Sequence, residues 1–156
     1  ECAKMKSIRR VILASSMQVY SGLLREKTAP QQLGHETAPL NHYAVTKIFA
    51  ETMGKMYSLR HKMSVICARI GWFLRDKEEF NRMKCCQTWQ DSYVSHKDIS
   101  LFFQKAVEAQ NINFQILNAV SNPKHSELYD LKTAQNSIGY APRYSFPEGL
   151  PPDFLS

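Results

Sequence analysis

The sequence predicts an α/β protein with a doubly wound parallel sheet, and three observations point there. First, the apolar runs "RRVILASS" (9–16), "MSVICARIG" (63–71) and "NFQILNAVS" (113–121) are continuous rather than alternating. Strands covered on both faces, as in parallel sheets, read this way. Second, segments of helical period separate them. Third, the order strand, long loop, helix, strand, helix, strand, helix is the one that parallel crossovers require.

Taken in order, "ECAKMKSIRR" (1–10) reads as the tail of a helix and has no signal-peptide apolar region. The first strand follows and ends in Ser15 and Ser16. Residues 21–40 hold Gly22, Pro30, Gly34 and Pro39 and form a long loop, a kind that is usually functional. From 41 to 61, Ala44, Ile48, Phe49, Met53 and Met56 recur at helical spacing as an apolar face, with His42 packing or capping at the start. After the second strand and an irregular segment, Ser95 and Asp98 stand at the spacing of a capping box before an amphipathic helix. The third strand precedes a short helix that Gly139 closes as a C-cap, and Asp130 is expected to serve its start. No internal repeat interrupts this rhythm.

Composition narrows the function classes. The chain has 156 residues, 44% hydrophobic and 22% charged, which is one domain's worth of ordinary globular sequence. Its net charge is +6, but the densest basic cluster (Lys4, Lys6, Arg9, Arg10) is short and runs straight into an apolar strand. A nucleic-acid groove needs a longer basic stripe with aromatics, so none is expected. No apolar run approaches the roughly 20 residues that span a membrane. Cys2, Cys67, Cys85 and Cys86 form no CxxC pair and no zinc spacing. The expectation is a reducing compartment, the cytoplasm, with no metal and no disulfide framework.

The chemistry concentrates in "LNHYAVTKIFAE" (40–51), where Tyr43 and Lys47 are four residues apart and so share one helix face. An unperturbed phenol, with a pKa of about 10, is a poor base at neutral pH, and a neighbouring ammonium favours its ionised form. A serine from a strand end can hold the substrate oxygen in such a site. Spacing alone is weak evidence. Seven tyrosines and twelve lysines in 156 positions yield about half of one such spacing by chance. A second pair, Tyr93 and Lys97, does occur, but it straddles the Ser95 cap and should not share a face. Tyr43 differs in context, since it opens a long helix just after a strand that ends in serines.

The segments "ASSMQVY", "ETAPLNHYAVTK" and "ARIGWF", in this order, resemble the extended short-chain dehydrogenase/reductase (NAD-dependent epimerase/dehydratase) family. Its members carry S-S-x-x-V-Y-G, then E-x-x-P-x-x-x-Y-x-x-x-K, then a strand ending in Arg. "RIGWFLR", "TWQDSYVSHKD", "AVSN" and "SIGYAPRYS" look most like uronate dehydrogenases, which oxidise C1 of a hexuronate with NAD. The resemblance implies catalytic roles for Ser16, Tyr43 and Lys47, with Tyr43 as base and with Tyr43 and Lys47 also touching NAD. It implies substrate contacts for Ser15, Ser16 and Arg75, the last as a fork for the uronate carboxylate. Met17 stands where such enzymes usually have a sugar-contacting asparagine, and it cannot hydrogen-bond comparably. Trp72, Phe73 and Trp89 are expected in the core or pocket wall, Asp98 at its helix start, and Arg69 in a local pair.

The family's dinucleotide loop, G-x-x-G-x-x-G, has no counterpart among the glycines at 22, 34, 54, 71, 139 and 149. By the resemblance, this is the C-terminal part of a Rossmann-like doubly wound sheet, about three parallel strands with flanking helices, with the N-terminal nucleotide-binding strands absent. One partial domain is expected. Residues 1–70 form the second half of the core, and 71–156 the substrate-binding part with the last core helix and strand. Two function classes follow. One is an NAD-dependent oxidoreductase of a sugar or sugar acid, here a truncated chain. The other is an inactive remnant serving as a dimerisation or regulatory module, because family dimers pair through the Tyr43/Lys47 helix.

Overall fold

The computed structural model describes residues 1–25 and 36–151, so the loop residues Pro30 and Gly34 fall outside the described residues. Strands β1 (Arg10–Ser16), β2 (Ser64–Ile70) and β3 (Phe114–Ala119) form one three-stranded sheet in that order, all parallel. Ser16 lies level with Ile70, and Ile70 with Ala119, so the three C-terminal ends form one rim. Helix α1 (Cys2–Met5) precedes β1, and α2 (His42–His61) connects β1 to β2. Helices α3 (Lys77–Lys84), α4 (Gln87–Asp91) and α5 (His96–Glu108) lie between β2 and β3, and α6 (Lys132–Ile138) follows β3. This is the doubly wound α/β architecture that the apolar runs predicted.

The period-2 pleat sends alternate β2 residues to opposite helices. Ile66 and Ala68 join Phe102 and Ala106 of α5 and Ala134 and Ile138 of α6 in the largest core cluster. On the other face, Val65 and Cys67 meet α2 at Gly54, where an added Cβ would come within 2.8 Å of Leu13 and 3.0 Å of Val65. Glycine is needed there because helix and sheet approach so closely.

Two expectations change. Strand β1 is not covered on both faces: Val11, Ile12 and Leu13 are only partly buried and Ala14 is exposed. It pairs with β2 alone among the described residues, whereas the central β2 is buried from Val65 to Arg69. The apolar face of α2 is also only partly its core face: Ala44 is buried and Ile48 packs on the Met17–Tyr20 cluster. The buried line is Ala44, Glu51, Gly54 and Ser58, while Phe49 is 66% exposed and Met56, Val45 and Leu59 are exposed with it. Close packing on the sheet selects small residues inward and leaves the bulky ones outside.

The caps follow their chemistry. Ser95 Oγ accepts from the Asp98 N–H at 2.9 Å, as expected. The return arm of the box is rerouted, because the Asp side chain is short. The Ser95 N–H donates to Ser121 Oγ (2.9 Å), and that hydroxyl donates to the Asp98 carboxylate (2.5 Å). Asp130 accepts from the Thr133 N–H at the start of α6 (3.0 Å), and Gly139 ends that helix at φ 70°.

A buried polar network ties the two layers together. Arg69, 1% exposed, donates from Nε and Nη2 to the two Glu51 oxygens at 2.8 Å each. Its Nη1 donates to the Tyr20 hydroxyl at 2.6 Å, and that hydroxyl donates to Asn118 Oδ1 at 3.1 Å. Arg69 therefore pairs locally, as expected. Replacing Glu51 by Ala strands a charge in the core and is expected to cost about 3–5 kcal/mol of unfolding free energy by chemical denaturation. Removing the exposed Lys105–Glu108 pair with Lys105→Ala should cost less than about 1 kcal/mol.

The open β1 edge borders an apolar groove of about 340 Å³ between Val11, Leu13, Phe49, Met53 and Tyr57. Unpaired strand edges beside apolar surface template association. The 156-residue chain expressed by itself is therefore expected to sediment as dimers or larger species at micromolar concentration. A uniform monomer would contradict this.

Candidate active site

At the sheet rim β1 runs into a 3-10 turn, Met17–Tyr20, and Ser16 caps it by accepting from the Gln18 N–H at 3.2 Å. The start of α2 is fastened to this turn. Asn41 caps α2 by accepting from the Ala44 N–H (2.8 Å), and its amide nitrogen donates to Gln18 Oε1 (2.9 Å). Behind them, Val19 O accepts from the Ala38 N–H (2.9 Å) and Ala38 O from the Gly22 N–H (2.7 Å). A Cβ on Gly22 would lie 2.7 Å from Ala38, so glycine permits this crossing. The loop and both caps thus bring the first turn of α2 beside Ser16.

A cavity of about 1360 Å³ opens at this rim, with Ser16, Met17, Tyr43, Lys47, Trp72 and Arg75 on its wall. Its place, outside the carboxyl ends of parallel strands, is where ligands bind in open α/β sheets. Tyr43 is 49% exposed, and the Lys47 ammonium lies 5.2 Å from its ring centroid. Lys47 Nζ also donates to Ala14 O at 2.8 Å, which anchors the ammonium to the strand. An ammonium has three donors, so two remain for a ligand.

The structure thus brings Ser16, Tyr43 and Lys47 to one wall. Ser15 borders the same cavity, with its hydroxyl already engaged as a donor. That serine is 3% exposed and its hydroxyl donates to Glu51 Oε1 at 2.6 Å, inside the buried network. His42, expected to pack or cap, does neither. Asn41 is the cap, and His42 is exposed on the cavity wall. Trp72, Phe73 and Trp89 line the wall as expected, with the two indoles edge to face at 5.5 Å. Tyr93 and Lys97 do not meet. Tyr93 is buried and donates to Glu148 O (2.8 Å), while Lys97 lies over Tyr144. Among the described residues no group of three His, Cys, Asp or Glu could hold a metal ion.

Arg75 lines the cavity, but its guanidinium is already engaged. Its Nε donates to Glu79 Oε1 at 3.0 Å, its Nη2 donates to the same oxygen, and its backbone N–H donates to Oε2 at 3.0 Å. The Arg75 hydrogen bonds hold the Glu79 carboxyl below the usual carboxylate range, with Trp72 acting in the same direction. Glu79 was missed in the sequence, although a signal was present. Asp76 caps α3 by accepting from the Glu79 N–H at 2.8 Å, the spacing read at Ser95 and Asp98.

Residues 1–73 match the NAD dependent epimerase/dehydratase family. An uncharacterized protein of Bacillus subtilis, YtbQ, is 31% identical over 150 residues, covering 92% of this chain and 56% of that protein. The L-arabinose 1-dehydrogenase (NAD(P)(+)) of Haloferax volcanii is 26% identical over 157 residues, covering 92% of this chain and 62% of that enzyme. The chain thus spans little more than half the length of these relatives. The crystal structure of a glucuronic acid dehydrogenase from Chromohalobacter salexigens shares the fold with a TM-score of 0.72 at 16% identity, covering 93% of this chain and 50% of that one. The match to the NAD-dependent epimerase/dehydratase family thus spans the first 73 residues of the chain, from α1 through β2.

Proposed function

We propose that the chain supplies the catalytic and substrate-binding part of an NAD-dependent oxidoreductase acting on a sugar or sugar acid. The observation that carries this is the meeting of Ser16, Tyr43 and Lys47 on one cavity wall at the rim of the parallel sheet. In this reading residues 1–70 carry the catalytic core and 71–156 the substrate-binding part, and the free cysteines suit a reducing compartment such as the cytoplasm.

The wall fits one end of the cofactor. The two unused donors of Lys47 suit the hydroxyls of a ribose, and Tyr43 stands beside them. NAD, when bound, supplies the hydride acceptor. Ser16 Oγ holds the reacting oxygen of the sugar. Tyr43 takes the proton from that hydroxyl as the C1–H bond gives up its hydride, leaving a carbonyl. Lys47, fixed by Ala14 O, holds its positive charge against the Tyr43 ring throughout. Whether the substrate is a hexuronate turns on whether Arg75 is free to take a carboxylate.

A second reading, an inactive module that pairs or regulates, is favoured by the outer face of α2, where Val45, Phe49 and Leu59 are exposed. The same face suits a homodimer of an active enzyme.

In the natural protein that carries this chain, Tyr43→Phe is expected to lower turnover about 10²–10⁴-fold with the fold intact, as removal of a general base does. Lys47→Ala should lower turnover and also raise the dissociation constant for NAD. Steady-state kinetics and calorimetry check both, and full activity in Tyr43→Phe would sink the catalytic reading in favour of the inactive module. The 156-residue chain alone is expected to show no micromolar NAD binding by calorimetry, because its wall meets only the nicotinamide end.

A further inference from the structure

We propose that Glu79 is a specificity-determining residue. By holding Arg75 it makes the cavity select a neutral sugar and discriminate against the corresponding hexuronate. This rests on the reading of Ser16, Tyr43 and Lys47 as a sugar-oxidising centre.

A guanidinium recognises a carboxylate best through two parallel N–H donors presented on one edge. The Nε/Nη2 edge of Arg75 is taken up by Glu79. Glu79 itself is well fixed. Its side chain is 10% exposed, its N–H is bound by Asp76, and its second oxygen accepts from the Arg75 backbone. The Arg75 side chain is 76% exposed, so its remaining donors are accessible. A sugar hydroxyl needs one neutral hydrogen bond and can use them. A substrate carboxylate would instead meet a guanidinium whose charge is already matched, with the Glu79 anion as a near neighbour. Two carboxylates sharing one cation repel each other.

Among the described residues, no other wall side chain is seen to present a fixed fork in place of the occupied Nε/Nη2 edge. Met17, 7% exposed and next to Ser16, offers no donor. The Lys47 ammonium gives one donor to Ala14 O, and in the proposed reading its other two serve the cofactor ribose. Arg25 is exposed, and no hydrogen bond orients it among the described residues.

The test uses the natural protein carrying this chain, with NAD and matched pairs such as galactose with galacturonate and glucose with glucuronate. Wild type should show kcat/KM at least about tenfold higher for the aldose, the scale of one charge-assisted contact. Glu79→Gln keeps the side-chain shape and removes its charge. It should move the ratio toward the uronate by about tenfold or more, mainly through KM. Arg75→Ala, at an exposed position, should change both substrates alike, within about twofold of each other. If Glu79→Gln does not fold, the wild-type ratio and Arg75→Ala still decide.

A wild-type preference for the uronate overturns the assignment to Glu79 while leaving the oxidoreductase reading intact. So does an Arg75→Ala variant that loses about tenfold more activity on the uronate than on the aldose. Oxidation of neither class in any pair overturns the oxidoreductase reading and this proposal with it.

Discussion

The Arg69–Glu51 fork is the contact on which the rest of the molecule depends. A guanidinium and a carboxylate are both withdrawn from water between the sheet and α2, at 1% and 4% exposure. Desolvating two ions costs several kcal/mol each, and only two short, parallel hydrogen bonds with satisfied neighbours make such a pair tolerable. The neighbours come from every layer: Ser15 from β1, Tyr20 from the turn after it, and Asn118 through Tyr20 from β3. Burial raises the Tyr20 phenol above its usual range, with Arg69 opposing the shift, so the hydroxyl remains a neutral relay. Beside the pair, burial pushes the Cys67 thiol up to about 12, reinforced by the Glu51 charge, which leaves it an inert packing group.

This fork also bears on the geometry of the cavity wall that carries Ser16, Tyr43 and Lys47. Glu51 lies one turn beyond Lys47 on α2, so the ion pair ties that helix to β2. The close approach at Gly54 and the reach of Lys47 to Ala14 O fasten the same helix to the sheet. The Ser15 hydroxyl donates into the network, whereas that of Ser16 caps the turn at the rim. The bulky residues of α2 are displaced to the outside, which gives the helix an apolar outer face.

Elsewhere on the cavity wall a local motif fixes a charged pair. The Asp76 cap starts α3 and fixes the first turn that carries Glu79. Glu79 then turns back to the residue just before its own cap and holds Arg75. A helix-starting device thereby sets the charge presented to the cavity, since the guanidinium arrives there already paired.

The sequence by itself determined what depends on near neighbours. Continuous β-branched runs marked three parallel strands, the Tyr43–Lys47 spacing marked one helix face, and the resemblance of "ASSMQVY" to the family pattern marked Ser16. Ser95, Asp130 and Gly139 announced their helix ends. These signals are legible because a pleat, a helical turn and a cap are each built from residues within a few positions of one another. Only the tertiary structure decided the remainder. Glu51 and Arg69 are 18 residues apart on different elements, and no local pattern links them. Periodicity showed that α2 has an apolar face but not that its small face lies on the sheet. The resemblance marked Arg75 as a fork for a substrate carboxylate, but the partner of its charge was not legible. Whether a side chain faces a neighbour, solvent or substrate depends on the distance between elements, and that distance is a property of the packed molecule.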